Sequence, residues 1–292
     1  MSEILKITRL GKSFGRHVVF SDLNMGLSAG KVHGLLGLNG EGKTTLIRIL
    51  LGVIPSDQGE IHYKDGPVSF RSAAYKEEVG YIPEDPFFFG GMRVGELLDF
   101  NAAFYRRWDG RRAEDLLKRF ALDRKAKIKT LSRGMKLRLE MAVALAARPA
   151  LLVLDDPTSG LDVLTRHDFL QDIIRELADS GTTILFSTHL VHEIERIVDH
   201  LFILHRGRLI LDEEHEAVKN STRRVRLSFQ GDPPQTLGID GILIESRDGQ
   251  RMEVIVYPWS DDKKKKIEGF SPTLLEVEPL TLEEIFRSFV VG

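Results

Sequence analysis

Residues 37–44 read GLNGEGKT, three spaced glycines closed by a cation and a hydroxyl. A G-x-x-x-x-G-K-[ST] run is chemistry for phosphate: Gly37, Gly40 and Gly42 let the backbone turn tightly and aim N–H groups at phosphate oxygens. Lys43 would neutralise the β- and γ-phosphates of a nucleotide, and the Thr44 hydroxyl would ligate Mg²⁺. Glu41 is out of place in a loop built for anions, so its side chain is expected to point to solvent. Farther on, residues 151–156 read LLVLDD, an apolar run ending in two acids. There Asp155 would reach the Mg²⁺ beside the phosphate loop and Asp156 would face the γ-phosphate.

A second anion-gripping pattern stands at residues 131–135, LSRGM, opening a helix that runs through Leu145 until Pro149 stops it. Ser132 and Gly134 at that helix start present N–H groups and a hydroxyl. Two phosphate-gripping surfaces in one chain suggest that each serves half of a shared nucleotide. Taken singly, the pieces have plainer readings: Ser132 as a helix cap, the Asp-Asp-Pro step as a turn, Phe14 as a core ring, His189 as a satisfied histidine. Their order along the chain is what favours the functional reading.

The elements that must position these residues follow from hydrophobic spacing. Val32–Leu36, Leu151–Leu154 and Thr183–Phe186 read as short buried strands, each followed by a helical pattern, the alternation that builds a parallel sheet. Leu46, Ile49, Leu50 and Val53 fall at i, i+3, i+4, i+7, a helix directly after the phosphate loop. From about residue 87 to 147 the spacing is helical throughout, an insertion between sheet strands. After about Lys219 the pattern becomes alternating (Val225, Leu227, Phe229; Met252, Val254, Val256), and it closes with a helix whose Thr281 and Glu284 have capping-box spacing. The DDKKKK run at 261–266 reads as a solvated turn.

Composition bounds the rest. At 292 residues, 42% hydrophobic and 29% charged, the chain has room for an α/β domain and a smaller one. A net charge of −2 argues against a general nucleic-acid binder. With no cysteine there is no disulfide framework or thiolate metal site, which suits a cytoplasmic location. No signal peptide and no run long enough to span a membrane are evident. Work at a membrane therefore needs another polypeptide.

In this order the motifs resemble those of an ABC transporter ATP-binding subunit, over about residues 4–215. The resemblance implies an α/β fold: a P-loop NTPase core with a mixed, largely parallel sheet, an antiparallel β subdomain and a helical insertion, plus a small C-terminal α+β appendage. The ATPase domain is then expected at 1–220 with its helical subdomain at about 87–147, and the change of spacing after Lys219 sets the accessory domain at 221–292. By the same resemblance Phe14 stacks on adenine, and residues 37–45, including Asn39 and Thr45, form the Walker A loop. Glu84 takes the Q-loop position as catalytic and metal residue, and Ser132 with Gly134 form the signature. Asp155 is the Walker B metal ligand, Asp156 the catalytic base, Ser159–Asp162 the D-loop, and His189 the switch histidine. ATP and Mg²⁺ are the implied cofactors. The implied partners are a second ATPase subunit, identical or sister, and an integral membrane permease that holds the protein at the cytoplasmic face.

The chain departs from the family pattern at several places. The usual LSGGQ signature has Arg133 for a glycine and Met135 for the glutamine; Glu84 replaces a glutamine, and Asp156 a glutamate one methylene longer. These variants resemble exporter subunits of the ABC-2-like group, so export is the expected direction. Phe87, Phe88 and Phe89 in PFFFGG suit a socket for the permease, with at least one ring turned inward and one outward. His192 and Glu193 are expected on a solvated helix face. The competing reading is a soluble ABC-type ATPase driving a non-transport assembly machine; a GTPase lacks support because no Asn-Lys-x-Asp is present.

Overall fold

The computed structural model describes residues 3–64, 66–68, 73–89 and 91–291, with the backbone alone for 177–180. Numbered in chain order, the strands of a central sheet run β10 (Arg208–Glu214), β9 (His200–His205), β3 (Val32–Leu36), β8 (Thr183–Thr188), β7 (Leu151–Asp155), β6 (Val79–Ile82). β9, β3, β8, β7 and β6 are parallel, and β10 is antiparallel at one edge. Every residue of β3, β7 and β8 is buried, the signature of parallel strands covered on both faces.

The two faces take alternate residues. Leu35, Val153, Leu185 and Phe202 share one core with α1 (Lys43–Leu50), α2 (Ala73–Glu78) and an antiparallel sheet. That sheet is ordered β2 (His17–Ser28), β1 (Glu3–Phe14), β4 (Gln58–Tyr63), β5 (Gly66–Pro67). Leu36, Leu152, Leu154, Ile184 and Phe186 face the opposite core, with α3 (Val94–Ala102), α4 (Gly110–Arg119), α5 (Arg133–Ala146) and α6 (Val163–Ser180). The predicted helical stretch is therefore helical, closed by a 3₁₀ turn at Ile128–Thr130 before α5. Register pairs Leu36 with Thr188 and Asp155 with Ser187, so the loops after β3, β7 and β8 leave on the same side of the sheet. In open α/β sheets that is where ligands bind.

α1 is shorter than its periodicity suggested. It ends at Leu50, Gly52 turns away at φ +67°, and Val53 lies exposed beyond the helix.

α7 (Val191–Ile194) follows β8, and α8 (His215–Ser221) leads into a third, antiparallel sheet: β12 (Ile242–Asp248), β13 (Arg251–Val256), β11 (Arg223–Ser228), β14 (Leu274–Pro279). One face of it buries Val225, Leu227, Met252, Val254 and Val256, as the alternation required. The lysine run is not a turn. It forms α9 (Asp261–Glu268), with Ser260 capping Lys263 N–H, two acids in the first turn and Ile267 fully buried. Its Lys263 is itself buried and donates to the Pro258 carbonyl at 2.7 Å. The closing helix α10 (Leu282–Val291) has the reciprocal cap, Thr281 N–H to Glu284 and Glu284 N–H to Thr281 Oγ1. Its Leu282, Ile285 and Phe286 enter the same core as Val191 and Ile194 of α7. Among the described residues no helix is long and apolar enough to cross a membrane.

Candidate functional site

The loop leaving β3 turns on glycine backbone. Gly42 caps α1 at φ +101°, a conformation side-chain-bearing residues rarely adopt, and a Cβ there would stand 2.8 Å from Val19. Gly37 is buried against the Leu204 carbonyl, whereas Asn39 and Gly40 are exposed. Lys43 arches back over the loop, its Nζ donating to the carbonyls of Gly37 (2.7 Å) and Leu38 (3.1 Å). Burial pulls its pKa below the usual lysine value, while the carboxylates of Asp156, Asp155, Glu41 and Glu84 work to keep it charged.

Thr44 and Thr45 open α1. The Thr44 hydroxyl donates to Asp155 Oδ1 at 3.3 Å, and Ser187 Oγ donates to the same oxygen at 2.8 Å. Burial raises the Asp155 pKa; the two hydroxyl bonds pull it back, and Asp156 and Glu84 push it further up. A buried carboxylate short of positive partners, beside a hydroxyl, is a donor set that fits Mg²⁺, which binds one or two protein oxygens and completes its shell with water and phosphate. Among the described residues no group of three or more His, Asp or Glu side chains forms a complete metal cage. A metal here would need the nucleotide's oxygens.

The chain bends sharply after β7: Asp156 sits at φ +46°, its N–H donating to the Ser187 carbonyl at 3.0 Å. Its Oδ2 lies 2.5 Å from His189 Nδ1. Among the described residues its buried Oδ1 has no hydrogen-bond partner. The structure thus brings Lys43, Thr44, Asp155, Asp156 and His189 into one hydrogen-bonded and electrostatic cluster. Ser187, which sequence reading did not single out, joins them through Asp155 and Asp156; its place just before His189 was the available signal.

Glu41 does not point to solvent. Its carboxylate accepts from His205 Nδ1 at 2.9 Å and from the Arg206 backbone N–H, both at the β9–β10 turn. That clasp holds the misplaced charge against the β9–β10 turn.

Glu84 is exposed after β6, and its carboxylate makes no hydrogen bond among the described residues, although its charge is felt at Lys43 and Asp155. Phe14 ends β1 half-exposed, with Lys12 Nζ 5.2 Å from the ring centroid. Ser132 caps α5, its Oγ accepting from Met135 N–H at 3.2 Å, and Gly134 is the close-packing point where a Cβ would meet Thr165 at 2.4 Å. Arg133 lies between the Glu84 carbonyl and Gly160. Among the described residues no hydrogen bond joins Ser132 or Gly134 to residues 37–45, so the two anion-gripping surfaces are not bonded to one another within the chain. Phe87 and Phe89 are exposed, 86% and 63%, and meet edge to face, while Phe88 packs against the helical core. Gly90 of the same run lies outside the described residues.

Glu193 overturns its expected place on a solvated face. The side chain is fully buried, held by Thr158 Oγ1 at 2.5 Å, Thr188 Oγ1 at 3.3 Å and the Arg166 guanidinium at 3.0 Å. His192 beside it is exposed as expected.

The ABC transporter family model matches residues 20–159. The ABC transporter ATP-binding protein YdbJ of Bacillus subtilis, itself uncharacterised, is 31% identical over 97% of this chain and 94% of its own. The chain belongs to the ABC transporter ATP-binding proteins. Nod factor export ATP-binding protein I of Mesorhizobium japonicum is 33% identical over 94% of this chain and 83% of its own. Among solved structures, cbiO1 of Clostridium perfringens, part of the ABC transporter complex cbiONQ, superposes with a TM-score of 0.67. It is 26% identical and covers 75% of this chain and 91% of that one. As an ABC-type ATPase the subunit binds and hydrolyses ATP.

Proposed function

We propose that this ABC subunit powers export through a separately encoded membrane permease, closing with a second ATPase subunit, identical or sister, over shared Mg-ATP. The observation that carries this reading is the separation of two surfaces on one chain: the Lys43–Thr44–Asp155–Asp156 cluster, and the exposed Ser132 at the start of α5. Each ATP is held by the loop of one subunit and the Ser132–Gly134 helix start of the other, while Phe14 offers an exposed face for adenine. Lys43 and the loop N–H groups grip the phosphates, and Asp156, steadied by His189, accepts the proton of the attacking water. Thr44 and Asp155 would hold Mg²⁺, which supplies charge neutralisation between the phosphates; Glu84 joins them if its loop moves inward. Export is supported by the Nod factor relative, whose name gives that direction.

Residues 1–220 form the ATPase domain in this reading, with 87–147 as its helical subdomain and 221–292 as an accessory domain resting on α7 through α10. Exposed Phe87 and Phe89 are the contact for the permease, which keeps the subunit at the cytoplasmic face of the membrane. Detergent extraction and affinity purification of the intact complex test this. A multi-span membrane polypeptide is expected to co-purify, and Phe87→Ser with Phe89→Ser to release it while ATP binding persists. Retention of the permease by that double variant would contradict the assignment of the contact; absence of any membrane polypeptide from the wild-type complex would contradict the transporter reading.

A further inference from the structure

The buried carboxylate of Glu193 sits where three segments meet. Thr158 lies in the loop that leaves Asp156, Thr188 immediately precedes His189, and Arg166 stands on α6, from which its Nη2 reaches back to the Leu161 carbonyl at 3.1 Å. One oxygen, Oε2, takes both threonine hydroxyls, and the Arg166 guanidinium stands 3.0 Å from Oε1. Thr188 Oγ1 also receives the Leu190 N–H at 2.9 Å, which fixes the step between β8 and α7. Among the described residues no hydrogen bond or ion pair joins these groups to the phosphate loop, yet they hold the two backbone segments that carry Asp156 and His189.

We propose that Glu193 is the positioning residue for hydrolysis: by tying residues 158 and 161 to residue 188, it sets the approach of Asp156 to His189. A carboxylate with no solvent exposure is costly unless paired, so its persistence here depends on Arg166 and the two hydroxyls together. Because the Asp156–His189 contact is short and the two residues are on different loops, a small slip of either loop displaces the carboxylate that must accept the proton. Displacement of a catalytic group by about 1 Å costs on the order of a hundredfold in rate, without touching the residues that grip the phosphates. Helix α10 packs on α7, so the C-terminal region bears on the same short helix.

This inference rests on the assignment of Asp156 as base and His189 as its holder. The test uses Thr158→Val, which keeps the side chain's volume but deletes its hydroxyl, Glu193→Gln, which keeps acceptor oxygen but deletes the charge, and Asp156→Asn as reference. In the full chain assembled with its partners, Thr158→Val and Glu193→Gln are each expected to lower kcat on the order of ten- to a hundredfold, with Mg-ATP Kd changed less than about twofold. Their double variant should fall little below the worse single, because both break one linkage. Folded Thr158→Val protein with wild-type kcat, or with ATP binding lost in proportion to rate, would overturn the proposal. If Asp156→Asn itself hydrolyses ATP normally, the base assignment fails instead.

Discussion

Replacing Asp156 by asparagine removes the carboxylate that is hydrogen-bonded to His189, and leaves the shape of the loop nearly unchanged. Asp156 Oδ2 is occupied by His189 Nδ1 at 2.5 Å, and among the described residues the buried Oδ1 has no partner. An amide there can still bond His189 but cannot take a proton. General-base assistance contributes about 10²–10⁴ in rate, so kcat is expected to fall by that factor while Lys43, Thr44 and Asp155 still bind the nucleotide. Binding should be equal or tighter, since one anion beside the phosphates is gone, although Lys43 loses the largest electrostatic contribution that keeps it protonated. The wild type carries its own handicap. Aspartate reaches about 1.5 Å less far than the family's glutamate. Slow turnover with good Mg-ATP binding is therefore expected, and Asp156→Glu should be equal or faster, by up to about a hundredfold, because the partly exposed His189 has room to yield. Steady-state phosphate release and nucleotide binding, measured in parallel on wild type and both variants, decide the matter. Wild-type hydrolysis by Asp156→Asn, with Asp155 still essential, would refute the assignment.

The clasp on Glu41 predicts that His205→Ala weakens Mg-ATP binding on the order of tenfold, about 1.4 kcal/mol, and that Glu41→Gln in the same background restores it; a titration in which the double variant binds no better than His205→Ala would disprove the clasp's role. Fully buried His33, bonded to the Ser28 carbonyl, has its pKa pulled down to about 4 by burial, against 6.5 when unfolded. Between those values the unfolded chain binds the extra proton, so stability present above pH 6.5 drains away as pH falls towards 4, on the order of 3 kcal/mol in all. Denaturation profiles of His33→Gln should be flatter across that window, and an unchanged slope would count against it. Deleting residues 222–292 should lower Tm, because α10 no longer covers Val191 and Ile194, yet leave ATP binding measurable; a folded truncation unable to bind ATP would contradict the division of labour.

What could be read in advance was what is contiguous. The phosphate loop, the acids after β7 and the capping of α5 and α10 each lie within a few residues, so spacing alone reveals their geometry. Strands β3, β7 and β8 were legible because burial on both faces makes them uniformly apolar, and β11 because burial on one face makes it alternate. Glu193 and Glu41 were misread for one reason: their partners lie far away in sequence, Thr158 and Arg166 for the first, His205 for the second. An acid beside other polar residues looks solvated until the fold brings it a distant donor. α9 escaped notice because its lysines dominate the composition, while its burial depends on Ile267 and on one lysine whose amine finds a carbonyl. At α1 the apolar spacing outlasted the helix, and Gly52 ended it first.

The claim that each ATP is shared between the loop of one subunit and the α5 start of another meets its most direct test in Ser132→Arg, compared with Lys43→Ala. Ser132 is exposed and, among the described residues, no hydrogen bond joins it to its own phosphate loop, so a bulky cation there should leave Mg-ATP binding near wild type and abolish hydrolysis. Lys43→Ala should abolish binding itself, by removing the cation that faces the phosphates. Parallel measurement of ATP binding and phosphate release on the two variants separates these outcomes, and normal hydrolysis by the Ser132→Arg protein would contradict the shared site.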